Sequence, residues 1–116
     1  MPRAKGGVKT RRRHKRVLKA AEGYVGAHST LYRTAQERVD RAQAYAYRDR
    51  RVHKREMRAL WQTRIGAAAH PCALSYSRFM HGLKRAGIAL DRKVLAELAI
   101  RDPQDFAALA AVAKQG

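Results

Sequence analysis

The chain has 116 residues, with 26 Lys and Arg against 9 Asp and Glu, and a formal net charge of +17. That length gives room for one small domain plus an extension, and so one-sided a charge calls for a polyanionic partner. No apolar run approaches the ~20 residues of a membrane span, and the basic start lacks the hydrophobic stretch of a secretory signal. Cys72, the single cysteine, excludes an intrachain disulfide and fits a reducing compartment.

The charge is unevenly spread. Residues 1–58 carry 18 basic and 5 acidic side chains, residues 59–116 only 8 and 4. The first half repels itself and has few large apolar residues, so it is expected to be largely disordered until anions neutralise it. The second half holds Leu60, Trp61, Ile65, Phe79, Met80, Leu83, Leu95, Leu98, Phe106, Leu109 and Val112, enough for a small core. The expected division is a basic, extended and helical extension over 1–57 and a compact helical domain over 58–116.

Residues 1–9 contain Pro2, Gly6 and Gly7 among basic residues and predict an extended arm. From Thr10 to about Ala21 the chain can be helical, carrying Arg11, Arg12, Arg13, His14, Lys15, Arg16 and Lys19. Gly23 and Gly26, on either side of Tyr24 and Val25, mark a break between helices. The bend serves either as a plain helix end or as a close backbone approach to phosphate.

Ser29 or Thr30 is the expected N-cap of a long helix that runs to Ala69. Some forty residues at ~1.5 Å each reach about 60 Å, more than a domain this small needs. Its centre, YAYRDRRVHKREMRALW, is the most basic part of it. Arg48, Arg51, Arg55 and Arg58 recur at spacings of three and four, Arg50 and Lys54 lie on a neighbouring face, and Tyr45, Tyr47 and Trp61 are interleaved. Arg33, Glu37 and Arg41 give local ion-pair support. No apolar stripe between Arg33 and Arg55 is wide enough for a coiled coil. Further on, Met57, Leu60, Trp61, Ile65 and Ala68 form an apolar stripe, in which Trp61 has either a packing or a base-stacking use.

His70-Pro71 ends this helix, because a residue before proline is pushed out of the α region. Ser75 caps a short helix with Phe79, Met80 and Leu83 inward and Gly87 as its stop. Asp91 opens another with Val94, Leu95 and Leu98 on its apolar side. Asp102-Pro103 opens the last. No strand pattern or repeat occurs, so the expected fold is all-α.

Arg and Lys that neutralise phosphates release condensed counterions, which gives affinity without sequence specificity. The preponderance of Arg favours bidentate phosphate contacts and stacking. Tyr24, Tyr32, Tyr45 and Tyr47 suit stacking on unpaired bases, more useful on folded RNA than on duplex DNA. Ser75, Tyr76, Ser77, Arg78, His81, Lys84 and Arg85 make the exposed side of the first short helix polar and basic. The five histidines are scattered, no metal-ligand spacing exists, and no catalytic constellation is present. Neither an enzyme nor a cofactor is expected. Charge alone also suits a nucleoid or histone-like DNA-binding protein; a membrane-surface protein would need a broad apolar face that the basic segments lack.

Three stretches carry a specific resemblance: V-K-x-R-x-R-H-K-R-x-L-K-x-A-x-G-Y over Val8–Tyr24, A-Y-R-D-R-R over Ala46–Arg51, and S-Y-S-x-F over Ser75–Phe79. Across essentially its whole length the chain resembles the bacterial-type large-subunit ribosomal protein numbered twenty. His70-Pro71-Cys72 departs from that pattern. The resemblance implies a primary binder of 23S ribosomal RNA, acting early in large-subunit assembly in the cytoplasm or an organelle, without membrane contact or homo-oligomer. Its implied partners are 23S rRNA, neighbouring large-subunit proteins and, for some members, their own messenger RNA, whose translation they repress. Carried onto this chain, RNA contact falls to Arg3, Lys5, Lys9, Arg11, Arg12, Arg13, Lys15, Arg16 and Lys19 in the extension. The A-Y-R-D-R-R stretch adds Tyr47, Arg48, Arg50 and Arg51. Tyr24, Arg33, Tyr45, Lys54, Arg55 and Arg58 join them on charge and aromatic character. Ser75, Tyr76, Ser77, Arg78, His81, Lys84 and Arg85 form the candidate C-terminal RNA surface.

Overall fold

The first helix forms where like charges oppose it. The computed structural model describes residues 2–3 and 5–116, and in it α1 runs Gly7–Ala20. Gly6 precedes it at φ 82° without a side-chain cap, and no acid lies in the first turn. Arg12 and Arg16, and Arg11 and Lys15, are like-charged pairs at i, i+4, which destabilise an isolated helix. What holds α1 is its opposite face: His14, Val17, Leu18 and Ala21 fall at i, i+3, i+4 and i+7. The His14 ring stacks on Tyr32 at 3.7 Å and 21°. Val17, Leu18 and Tyr24 pack on a small cluster of buried Ala21, Ala35 and Val39.

Between α1 and the next helix the chain reverses through Gly23 at φ 86° and Gly26 at φ 60°, both in the left-handed region that glycine enters without strain. A single 3-10 turn, Gly26–Ser29, follows. Helix α2 then spans Tyr32–Ala69. Two bonds fix the turn to its start, Leu31 N donating to Ala27 O at 2.9 Å and Thr34 Oγ1 to Ala27 O at 3.1 Å, while Ser29 Oγ donates to Gly26 O at 2.9 Å within the turn.

The chain divides into two compact units, residues 1–51 and 52–116, with α2 contributing to each. The second unit has the larger core. Ile65 and Ala69 of α2 are buried with Phe79 and Leu83 of α3 (Tyr76–Arg85), Leu95 and Ala96 of α4 (Arg92–Arg101), and Phe106, Ala110 and Ala113 of α5 (Pro103–Gln115). Trp61 and Cys72 pack half-buried against it. Phe79 and Phe106 stack at 4.9 Å between centroids. Helices α3 and α5 approach so closely at Gly82 that a Cβ there would overlap the Ala113 backbone.

The breaks have local causes. After Ala69 a 3-10 turn, His70–Cys72, carries Pro71 and closes on Ala73 in the left-handed region at φ 60°. Ser75 Oγ caps α3 by accepting from Arg78 N at 3.3 Å. Gly87, at φ 77°, ends it, with Ile88 N donating back to Leu83 O at 3.0 Å. Asp91 Oδ1 accepts from Val94 N at 2.8 Å, and Asp102 Oδ1 from Asp105 N at 3.3 Å ahead of Pro103. Asp91→Ala removes the shorter of these caps and is expected to cost about 1 kcal/mol, lowering the midpoint of thermal unfolding by ~4–8 °C. Thermal denaturation followed by circular dichroism checks it.

No strand occurs among the described residues, and the fold is all-α. Several details differ from expectation. Helix α1 begins at Gly7 rather than Thr10, so the arm is shorter; its Met1 and Ala4 lie outside the described residues. Neither Ser29 nor Thr30 caps α2, because residues 26–29 close a 3-10 turn first and the helix starts at Tyr32. Leu60 and Val112, each 39% exposed, and Val94 at 45% are not core residues. Small side chains permit the close helix contacts instead: Ala96, Ala110 and Ala113 are buried.

Candidate nucleic-acid interface

In the first unit, Lys9, Arg11, Arg12, Arg13, Lys15, Arg16 and Lys19 all project from α1 into solvent, as do Arg3 and Lys5 ahead of it. The inward residues of α1 are neutral or aromatic, so the burial that fixes the helix leaves its cations outside. On α2, Arg33, Tyr45, Tyr47, Arg48, Arg50 and Arg51 are exposed. Two arginines lie across tyrosine rings, Arg48 over Tyr45 at 4.6 Å and Arg51 over Tyr47 at 3.7 Å. Arg51 Nη1 also donates to Tyr47 O at 3.2 Å. Each pair offers a flat cation-and-ring surface while the tyrosine stays about half exposed.

Acids do little to offset this charge. Among the described residues two ion pairs form, Arg48 with Asp49 at 2.8 Å and Arg101 with Glu97 at 2.9 Å. Hydrogen bonding to Asp49 pushes the Arg48 guanidinium above its ordinary pKa, so its charge is fixed.

Tyr24 is half-buried, its ring packed on the Ala21–Ala35–Val39 cluster, and it lines a groove with His28, Arg38, Arg41, Ala42 and Tyr45. Arg38, Arg41 and His28 are absent from the sequence-derived set. Their signal is present in the chain, since Arg38, Arg41, Ala42 and Tyr45 stand at i, i+3, i+4 and i+7. Only the reversal at Gly23 and Gly26 makes that face one wall of a groove.

In the second unit, Lys54, Arg55 and Arg58 are exposed and line a shallow groove with Met57 and Trp61. Trp61 therefore both packs on the core and borders a basic surface. Ser77, Arg78, His81, Lys84 and Arg85 share the exposed side of α3. Ser75 is exposed, with its oxygen committed to capping. Tyr76 is half-buried against the core, and its hydroxyl accepts from Arg92 Nε at 2.7 Å. The pair ties α3 to α4 and sets Arg92 in a groove with His81 and Lys84. Arg92, too, is missing from the sequence-derived set.

Among the described residues no group of three metal-ligating side chains converges. No helix among the described residues is long and apolar enough to cross a membrane. The arrangement suits multivalent phosphate contact with ring stacking.

The sequence profile of ribosomal protein L20 matches residues 3–109. The chain belongs to the ribosomal protein L20 family. Among relatives, the large ribosomal subunit protein bL20 of Geobacter metallireducens is 60% identical over 114 residues, covering 98% of this chain and 97% of its own. That of Syntrophotalea carbinolica is 62% identical over the same shares, and that of Desulfatibacillum aliphaticivorans 61% identical over 96% of each chain. The L20 family is one of structural ribosomal proteins and not of enzymes.

Proposed function

We propose that the chain is a structural constituent of the large ribosomal subunit that binds 23S rRNA directly and promotes early assembly. The observation that carries this is the excess of exposed Arg and Lys over acidic partners in both units, on an L20-family chain. Residues 1–57 serve as the extension that lies against RNA, and residues 58–116 as the compact part that recognises RNA shape through the exposed side of α3. Its place of action is the cytoplasm of a bacterial cell, beside other large-subunit proteins.

The mechanism is electrostatic. RNA strands packed side by side repel, and cations carried on helices reduce that repulsion while releasing bound counterions. The like-charged residues of α1 destabilise it when free and cease to do so when phosphates surround them, so RNA binding and helix stability reinforce each other. Tyr45 and Tyr47 add stacking, which is of most use on unpaired bases.

Reconstitution by omission tests the role. Large subunits assembled from 23S rRNA and purified proteins without this chain are expected to stall as slower-sedimenting particles, and its early addition restores them. Normal particles formed without it would contradict the assembly role.

A further inference from the structure

The groove of the first unit is the most specific feature of that basic surface. Its volume is about 600 Å³, inside the ~300–1,000 Å³ span of small-ligand sites. One wall is the turn at residues 23–28, held to the start of α2 by the Thr34 and Leu31 bonds to Ala27 O. The other is a single face of α2: Arg38, Arg41, Ala42 and Tyr45. The groove is therefore built from pinned backbone.

Its chemistry is selective. No carboxylate lines it, and neither Glu37 nor Asp40 forms an ion pair with Arg38 or Arg41 among the described residues. Two guanidinium groups accompany two phenol rings. Arg48 covers one face of the Tyr45 ring, and the residue stays about half exposed. His28, in the opposite wall, has its Nδ1 buried without a hydrogen-bond partner among the described residues, a group that gains from a polar ligand. A base stacked within a duplex cannot enter such a groove, whereas an unstacked one presents its faces to aromatic rings and its phosphate to arginine.

We propose that this groove holds one unpaired nucleotide of RNA, its base against Tyr24 and Tyr45 and its phosphate against Arg38 and Arg41. The inference rests on the RNA-binding function proposed above and adds a point of structural selectivity to a surface otherwise governed by charge. A peptide segment of a neighbouring protein is the competing occupant, disfavoured because the lining places two guanidinium groups, and no carboxylate, where an anion would sit.

The test uses the full chain and in vitro transcribed 23S rRNA, with binding measured over a salt series for the parent and for Tyr45→Ala and Arg41→Gln. Tyr45 is exposed and alanine is a good helix former, so the first variant keeps its fold. It is expected to bind roughly tenfold more weakly at every salt concentration, with an unchanged slope, because stacking is lost and no charge is. Arg41→Gln is expected to make the log–log salt slope shallower by about 1. Ultraviolet crosslinking with mass spectrometry should place a single-nucleotide adduct on the peptide bearing Tyr24 or Tyr45. A parent that binds 23S rRNA while both variants match it, with no adduct at either tyrosine, overturns the nucleotide site and leaves the proposed function standing. A parent that does not bind 23S rRNA overturns both.

Discussion

Gly82→Ala is expected to unfold the C-terminal unit or bring it close to unfolding. A Cβ at this position would overlap Ala113 O and stand 2.8 Å from its carbonyl carbon and 2.9 Å from its Cα. All three are backbone atoms of α5, so no flexible side chain can swing aside. Helices α3 and α5 would have to separate, and with them Phe79 and Phe106, one on each helix and stacked at 4.9 Å. Overpacking of this kind costs ~1–3 kcal/mol and sometimes more. In a unit of 65 residues with few large buried side chains, that is a large share of the total stability. Chemical denaturation followed by circular dichroism should show a midpoint far below that of the parent. Gly66→Ala is the control. A Cβ there meets only Tyr76 Cβ at 3.8 Å, an ordinary contact, and alanine in a helix is better than glycine by about 1 kcal/mol. One glycine should therefore destabilise on substitution while the other stabilises. A Gly82→Ala variant as stable as the parent would refute the close α3–α5 packing.

Neutralising α1 should have the largest effect on binding. Replacing Arg11, Arg12, Arg13, Lys15 and Arg16 together by Gln removes five exposed cations while sparing Val17, Leu18 and the His14–Tyr32 stack. If each meets one phosphate, the log–log salt slope of 23S rRNA binding becomes shallower by about 3.5–4.5, and affinity near 0.1 M salt falls by roughly four orders of magnitude. The folding effect has the opposite sign, since relief of i, i+4 repulsion favours the helix. Reduced binding with equal or greater helicity is thus the signature expected. Arg101→Gln, whose guanidinium is paired with Glu97, should change binding little. A slope altered by less than 1 in the five-residue variant would contradict the role given to α1.

Much of this was legible in the chain because it depends on local chemistry. The caps at Ser75, Asp91 and Asp102, the stop at Gly87 and the end of α2 before His70-Pro71 follow from side-chain hydrogen bonds and backbone preferences within a few residues. Exposure of the basic residues follows from the cost of burying charge. What escaped depends on contacts between distant residues or on small side chains. Ala21, Ala35 and Val39 give the first unit a buried cluster that a search for large apolar residues passes over. Gly82 reads as a tolerated helix glycine until Ala113 is placed beside it. Arg38, Arg41 and His28 gain meaning only once the turn at Gly23 and Gly26 folds back on α2. Tyr76 has a use that its motif does not announce: its hydroxyl accepts from Arg92 within the protein.

In the proposed function, charge provides affinity while the fold directs it to ribosomal RNA. The most direct measurement is a competition titration of the intact chain, at one near-physiological salt concentration, between folded 23S rRNA fragments and duplex DNA of matched phosphate content. One or a few RNA fragments are expected to outcompete both the DNA and the remaining fragments, with steep salt dependence throughout. Equal binding to every fragment and to DNA would contradict the proposed function and leave a general polyanion-binding protein.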